Sequence, residues 1–135
     1  MSVAGLPDSD AFIGLFVDHD AHFQQAQQAF HSFASSERLL VTTNLVITET
    51  ASMLSRRIRY ELACRFIKYI RDGNFSIIYT DKYIHETAND IFLAQNRENT
   101  SMVDCANVAV ARYYNIPTIL GFDGFYEKFG LKLVG

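Results

Sequence analysis

The chain has little of what marks secreted, membrane-spanning or fibrous proteins. Proline occurs only at Pro7 and Pro117, so no proline-rich linker divides the sequence, and tandem repeats and low-complexity tracts are absent. Cysteine occurs only at Cys64 and Cys105, each in a segment that reads as helix and neither in a metal-binding or redox spacing. The pair reads as reduced core thiols, which points to an intracellular, cytoplasmic setting. Apolar runs last a handful of residues, far short of the roughly 20 needed to cross a bilayer. The acidic start, with Asp8 and Asp10, lacks the basic segment and apolar stretch of an export leader. A soluble protein with no membrane partner is expected. Neither sign of charge dominates: Lys and Arg number 12 against 15 Asp and Glu, a net charge of -3, so the molecule as a whole is no general nucleic-acid binder. No glycine-rich phosphate cradle and no activated-serine motif occurs.

What is present is apolar. In 135 residues, 49% are hydrophobic and 13% aromatic, enough for the core of one domain spanning 1–135 without disulfides or structural metal. Val3 to Leu6 is a short strand candidate, made poor by Gly5 and Pro7. Asp8, Ser9 and Asp10 then precede a short buried helix, and a second helix covers about Asp20 to Ala34. Leu39 to Val41 reads as a strand, and Thr42, Thr43 and Asn44 offer caps for a helix to about Arg59. On that helix Ile47, Ala51, Leu54 and Ile58 form the expected buried stripe, with Glu49, Ser52 and Arg56 on another face. A helix from Tyr60 to Arg71 stops at Asp72-Gly73-Asn74, and Phe75 to Tyr79 is the next strand. Further helices run from Thr80 or Asp81 to Gln95 and from Met102 to Tyr114, around a polar loop, Asn96 to Thr100. Ile116 to Phe122 and Leu131 to Val134 are the last strands. The alternation predicts an α/β fold, a three-layer α/β/α sandwich with a mostly parallel central sheet.

Four carboxylates, Asp8, Glu49, Asp104 and Asp123, each lie beside an apolar stretch rather than in a solvated charge run. Asp8 and Asp123 follow strands, and Glu49 and Asp104 are expected in the first turns of helices, so all four can reach the rim beyond the strand ends where ligands gather. Two unit charges about 4 Å apart at an effective dielectric near 20 repel by roughly 4 kcal/mol. A shared pocket therefore demands a cation or retained protons. Hard divalent ions such as Mg²⁺ prefer such oxygen ligands and leave room for phosphate, which suits phosphodiester hydrolysis.

Each acid also has a plainer explanation. Asp8 or Asp10 caps the first helix. Ser101-Met102-Val103-Asp104 has the pattern of a capping box. Asp123-Gly124 is a turn signal that would close a hairpin between Ile119–Phe122 and Phe125–Tyr126. Glu49 pairs with Arg56 across a helix surface. These need four separate coincidences, whereas one ion site accounts for all four positions. Arg56, Arg57 and Arg59, followed by Arg65, Lys68 and Arg71, are the densest basic stretch; it serves either as an ordinary solvated face or to hold the backbone of RNA or DNA, with Arg56 and Arg57 the residues expected there and Arg56 preferred because it shares a face with Glu49. His19 and His22 read as surface residues, and Phe12, Phe16, Phe23, Phe30 and Phe33 as core or a dimer seam.

The ordered segments Asp8-Ser9-Asp10-Ala11-Phe12, Val46-Ile47-Thr48-Glu49, Ser101-Met102-Val103-Asp104-Cys105-Ala106 and Ile119-Leu120-Gly121-Phe122-Asp123-Gly124-Phe125 resemble the PIN-domain family, most of all its small VapC-type toxins. The resemblance spans nearly the whole chain. It implies a Mg²⁺- or Mn²⁺-dependent endoribonuclease that is dimeric and neutralised by a cognate antitoxin. It also implies that Asp8, Asp104 and Asp123 are metal ligands, that Glu49 binds metal directly or through water, and that Asn107, Ser9 and Asp10 support them. The chain departs from the family pattern at three positions. Gly121 stands where Ser or Thr is usual, Pro7 precedes the first acid, and Asp10 takes the place of a small polar residue. A PIN fold that has lost catalytic power and binds RNA or a protein partner is the alternative reading. A phosphoryl-handling domain is disfavoured, because Thr118 and Lys128 are poor matches to the lysine or hydroxyl such sites use.

Overall fold

A computed structural model describes residues 4–135. Five strands, β1 (Ala4–Pro7), β2 (Leu39–Thr43), β3 (Ser76–Ile78), β4 (Thr118–Leu120) and β5 (Lys132–Val134), form one sheet in the order β3-β2-β1-β4-β5. All neighbours are parallel, with Gly5 opposite Leu40 on one side and Leu6 opposite Ile119 on the other. Parallel strands require long crossovers, and helices supply them: α1 (Ser9–Phe16), α2 (Phe23–Ser35), α3 (Asn44–Arg57), α4 (Tyr60–Asp72), α5 (Lys82–Leu93) and α6 (Met102–Tyr113). The result is the expected α/β/α sandwich. A 3-10 helix, Gly124–Phe129, links β4 to β5.

The strand that reads worst in the sequence is the central one. Val3 lies outside the described residues, but Ala4–Pro7 pairs on both sides. Pro7 is tolerated because it is the last residue of the strand, and the ladder is resumed by the Asp8 N–H, which donates to Leu120 O at 2.8 Å. Gly5 is required by close approach: a Cβ there would collide with the Phe33 ring, 2.6 Å from its Cζ, and stand 2.8 Å from Leu120 Cδ1.

The core confirms part of the aromatic reading. Phe12 packs against Phe30, Phe66 and Phe75 at centroid distances of 5.3, 5.1 and 5.8 Å, and Phe33 is wholly buried, whereas Phe16 and Phe23 are half-buried. Helix α6 buries every residue from Asp104 to Ala111, so it is enclosed on all sides. Cys105 is buried as expected. Cys64 is not a core thiol but half-exposed, in an open groove between α3 and α4.

Two further expectations are corrected. On α3 the buried line is Val46, Thr50 and Leu54, while Ile47 and Ala51 are half-buried and Ile58 is 37% exposed. The helix ends at Arg57, so the helical period does not extend to Ile58. Asp123-Gly124 does not close a hairpin: the Asp123 carboxylate instead accepts from Phe125 N at 3.0 Å and caps the 3-10 helix.

Candidate active site

In this strand order the chain passes from β1 to β2 on one side, while β4 lies on the other. Crevices beyond the carboxyl ends of strands at such a reversal are where ligands bind in parallel sheets. Asp8 is the first residue after β1 and only 4% exposed. It caps α1, with Oδ1 accepting from Ser9 N at 2.7 Å and from Asn107 Nδ2 at 3.3 Å. Its Oδ2 accepts from the Tyr126 hydroxyl at 2.6 Å.

Asp104 reaches the same hydroxyl from α6. It completes the capping box, its N–H donating to Ser101 Oγ at 2.9 Å, and its Oδ1 lies 3.1 Å from Tyr126 Oη. Asn107, one helical turn on, donates to that oxygen at 3.0 Å. A phenol has one proton to give, so Tyr126 satisfies one of its two carboxylates at a time. Glu49 joins through Ser9, whose hydroxyl donates to Glu49 Oε1 and stands 3.5 Å from Asp8 Oδ1.

Asp10 lies one residue into α1 from Ser9, and its Oδ2 accepts from Phe122 N at 3.0 Å. Asp123, after β4, is turned toward Arg97, whose guanidinium donates to both carboxylate oxygens at 3.0 and 3.2 Å and lies 5.4 Å from the Phe125 ring centroid. The structure thus links Asp8, Glu49 and Asp104 through Ser9 and Tyr126, while a cation already meets Asp123. Among the described residues no three Asp, Glu, His or Cys side chains form a ready-made metal centre.

The electrostatics follow from this placement. Burial, then the charges of Asp10 and Asp104, hold the Asp8 carboxyl well above the ordinary carboxylate range. Burial chiefly raises Asp10 and Asp104 as well, with contributions from neighbouring acids. Burial also pushes Asp123 up, but the Arg97 and Phe125 hydrogen bonds and the Arg97 charge outweigh it, and the net shift is downward. Burial and the Asp8 and Asp104 charges drive the Tyr126 phenol well above its usual value, so it is a permanent donor here.

These residues fit a hard divalent cation. The donors are all oxygen, their negative charge is under-compensated, and Asp10 Oδ1 and Asn107 Oδ1 are buried without a hydrogen-bond partner.

A profile of the PIN domain family matches residues 6–130. The chain belongs to the PIN domain family. Solved structures of similar fold include Mycobacterium tuberculosis VapC20, a Sarcin-Ricin loop cleaving toxin, with a TM-score of 0.82 and 22% identity over 94% of this chain and 95% of that one. VapBC2 from Rickettsia felis, bound to a DNA fragment from their promoter, is similar at 0.71 and 12% identity, with 97% of each chain covered. FitAcB from Neisseria gonorrhoeae is similar at 0.69 and 10% identity, covering 97% of this chain and 96% of that one. At these identities the likeness establishes the fold. No curated protein matches in sequence.

Other expected residues make no hydrogen bond or ion pair to Asp8, Glu49, Asp104 or Asp123 of this PIN domain. Arg56 does not pair with Glu49; it is exposed and lines the α3–α4 groove, a cavity of about 540 Å³ shared with Ser52, Tyr60, Lys68 and Arg71. Arg57 is exposed in the last turn of α3. His19 is exposed, and His22, although exposed, stacks on Phe122 at 4.1 Å between centroids. Among the described residues no helix is long and apolar enough to cross a membrane. Tyr126 and Arg97 are the residues sequence reasoning missed. A tyrosine three residues past an acid carries a weak signal, since a buried phenol needs a partner; an arginine in a polar loop carries none.

Proposed function

We propose that this PIN domain is a divalent-cation-dependent endoribonuclease, the toxin of a toxin–antitoxin pair. The observation that carries the reading is the junction at the β1 and β4 ends, where Asp8 and Asp104 share one phenolic proton and the Asp104 charge adds to burial in raising the affinity of Asp8 for positive charge. Asp8, Asp104 and Asp123 would hold Mg²⁺ or Mn²⁺, with Glu49 acting directly or through water. A bound divalent ion supplies Lewis-acid activation of water and charge neutralisation at a scissile phosphate. The chain's own residues do the rest. Ser9 holds Glu49 toward Asp8, Asn107 and Tyr126 fix the Asp8 carboxylate, and Asp104 is fixed by its own helix cap. Arg56 and Arg57 would meet the RNA backbone flanking the cut. A homodimer, a cognate antitoxin and a cytoplasmic location belong to the same proposal, and the fold shared with a cleaving toxin supports it.

The test is cleavage of single-stranded RNA by the purified protein with Mg²⁺ or Mn²⁺, beside Asp8→Asn and Asp104→Asn. Cleavage that needs metal and vanishes in both variants is expected. One observation favours a second reading, an RNA- or partner-binding module without activity: Arg97 already neutralises Asp123. RNA retention with no cleavage by the parent protein would select that reading.

A further inference from the structure

Asp10 stands among the acids in a way that supporting the backbone does not explain. Its Oδ2 is spent on the Phe122 N–H, which ties the carboxylate to the segment after β4. Its Oδ1 is buried and accepts nothing. A buried acceptor without a donor is desolvated with nothing in return, at a greater cost when it is charged, so the arrangement calls for a compensating positive group. Asn107, 1% exposed and against Asp8 Oδ1, also has an unpartnered oxygen, an independent sign that the pocket lacks an occupant.

The space Asp10 fills exists because residue 121 has no side chain. A Cβ on Gly121 would stand 2.9 Å from Asp10 Oδ1 and 3.4 Å from Asp8 Cβ. Gly121 and Asp10 are therefore one arrangement: the missing side chain on the β4 side makes room for an extra carboxylate from α1, beside Asp8 and within electrostatic reach of Asp104 and Asp123. The two departures from the family pattern compensate for each other.

We infer that Asp10 Oδ1, in the space left open at Gly121, is a direct oxygen ligand of the divalent cation rather than a prop for the loop after β4. The inference rests on the cation site proposed above and adds to it a ligand that only an Asp10–Gly121 combination can provide. Asn at position 10 separates the two roles, because its amide oxygen still accepts from Phe122 N–H while its NH₂ group turns a donor toward the cation.

The experiment is calorimetric titration of Mn²⁺ into the full chain and its Asp10→Asn, Gly121→Ala and Asp104→Asn variants. It is paired with Eu³⁺ luminescence lifetimes in H₂O and D₂O, which count metal-bound waters. For Asp10→Asn the expected result is Mn²⁺ binding weakened by at least about fivefold and a gain of about one Eu³⁺-bound water, as a lost oxygen ligand requires. Gly121→Ala, which displaces the carboxylate, should weaken Mn²⁺ in the same direction. An unchanged water count in Asp10→Asn overturns the inference, and if Asp104→Asn still abolishes binding, the reading of the site survives. No Mn²⁺ or Eu³⁺ binding by the parent chain overturns both.

Discussion

The Tyr126 hydroxyl donates to Asp8 Oδ2 at 2.6 Å from a position where Asp104 is its second claimant. Tyr126→Phe keeps the ring in the core and removes the hydroxyl, which donates to Asp8 and accepts from Asn107. Without metal, the loss leaves a buried carboxylate unsatisfied and should cost about 1–3 kcal/mol. With saturating Mn²⁺ the cation takes over the compensation, and the difference should fall below about 1 kcal/mol. Urea denaturation with chelator and with Mn²⁺ measures both. Equal losses in the two conditions would show that the hydroxyl serves packing alone.

Arg97 holds Asp123 from a loop, and both side chains are about one-third exposed, 31% and 32%. Such a pair is worth little to the fold: Arg97→Ala should lower stability by less than about 1 kcal/mol. Its effect should fall on Asp123 itself, whose carboxyl should titrate higher once the guanidinium is gone. Side-chain carboxyl carbon shifts followed by NMR against pH report this directly. An unmoved Asp123 titration would mean that the Phe125 N–H and Lys128 suffice without Arg97.

The architecture was legible in the alternation of apolar strands and amphipathic helices, and the positions of Asp8 and Asp104 were legible because each sits at an element boundary with a capping pattern. The shared proton was not. Tyr126 lies 118 residues from Asp8, and nothing in an aromatic-rich segment marks one ring as turned toward two acids. Pro7 and Gly5 misled for a physical reason: local preference argues against a strand there, but both neighbours in the sheet and the Phe33 ring demand a slim chain. Gly121 and Asp10 read separately as two departures, and only their proximity shows them to be one.

Gly5 gives the most direct test of the core. Gly5→Ala places a methyl against the Phe33 ring and Leu120, and overpacking of this kind should cost about 1–3 kcal/mol. Phe33→Leu, destabilising alone because it opens a cavity, should cost less in the Gly5→Ala background. A double-mutant cycle by chemical denaturation measures the coupling. Strict additivity would place the clash elsewhere.

The acid junction should also set how stability varies with pH. Asp8, Asp10 and Asp104 all titrate higher in the fold than in the unfolded chain, where an aspartate has a pKa of about 3.9. A raised carboxyl contributes stability that is fully present below the unfolded value and is lost as pH rises through the folded one. Across that window the native chain binds more protons than the unfolded chain, so unfolding free energy falls with rising pH. Asp123 has the opposite sign: its lowered carboxyl contributes above the unfolded value and loses that contribution only as pH falls through its folded one, below the same window. The metal-free protein should therefore weaken steadily as pH rises above the unfolded aspartate value of about 3.9 and the three raised acids are forced to ionise together. Asp104→Asn removes one of the charges and should flatten the slope, and saturating Mg²⁺ should flatten it in the parent chain. Denaturation midpoints taken at intervals from about pH 4 upward, with and without chelator, decide the matter. A slope that survives both the substitution and the metal would mean that these carboxylates are not its source.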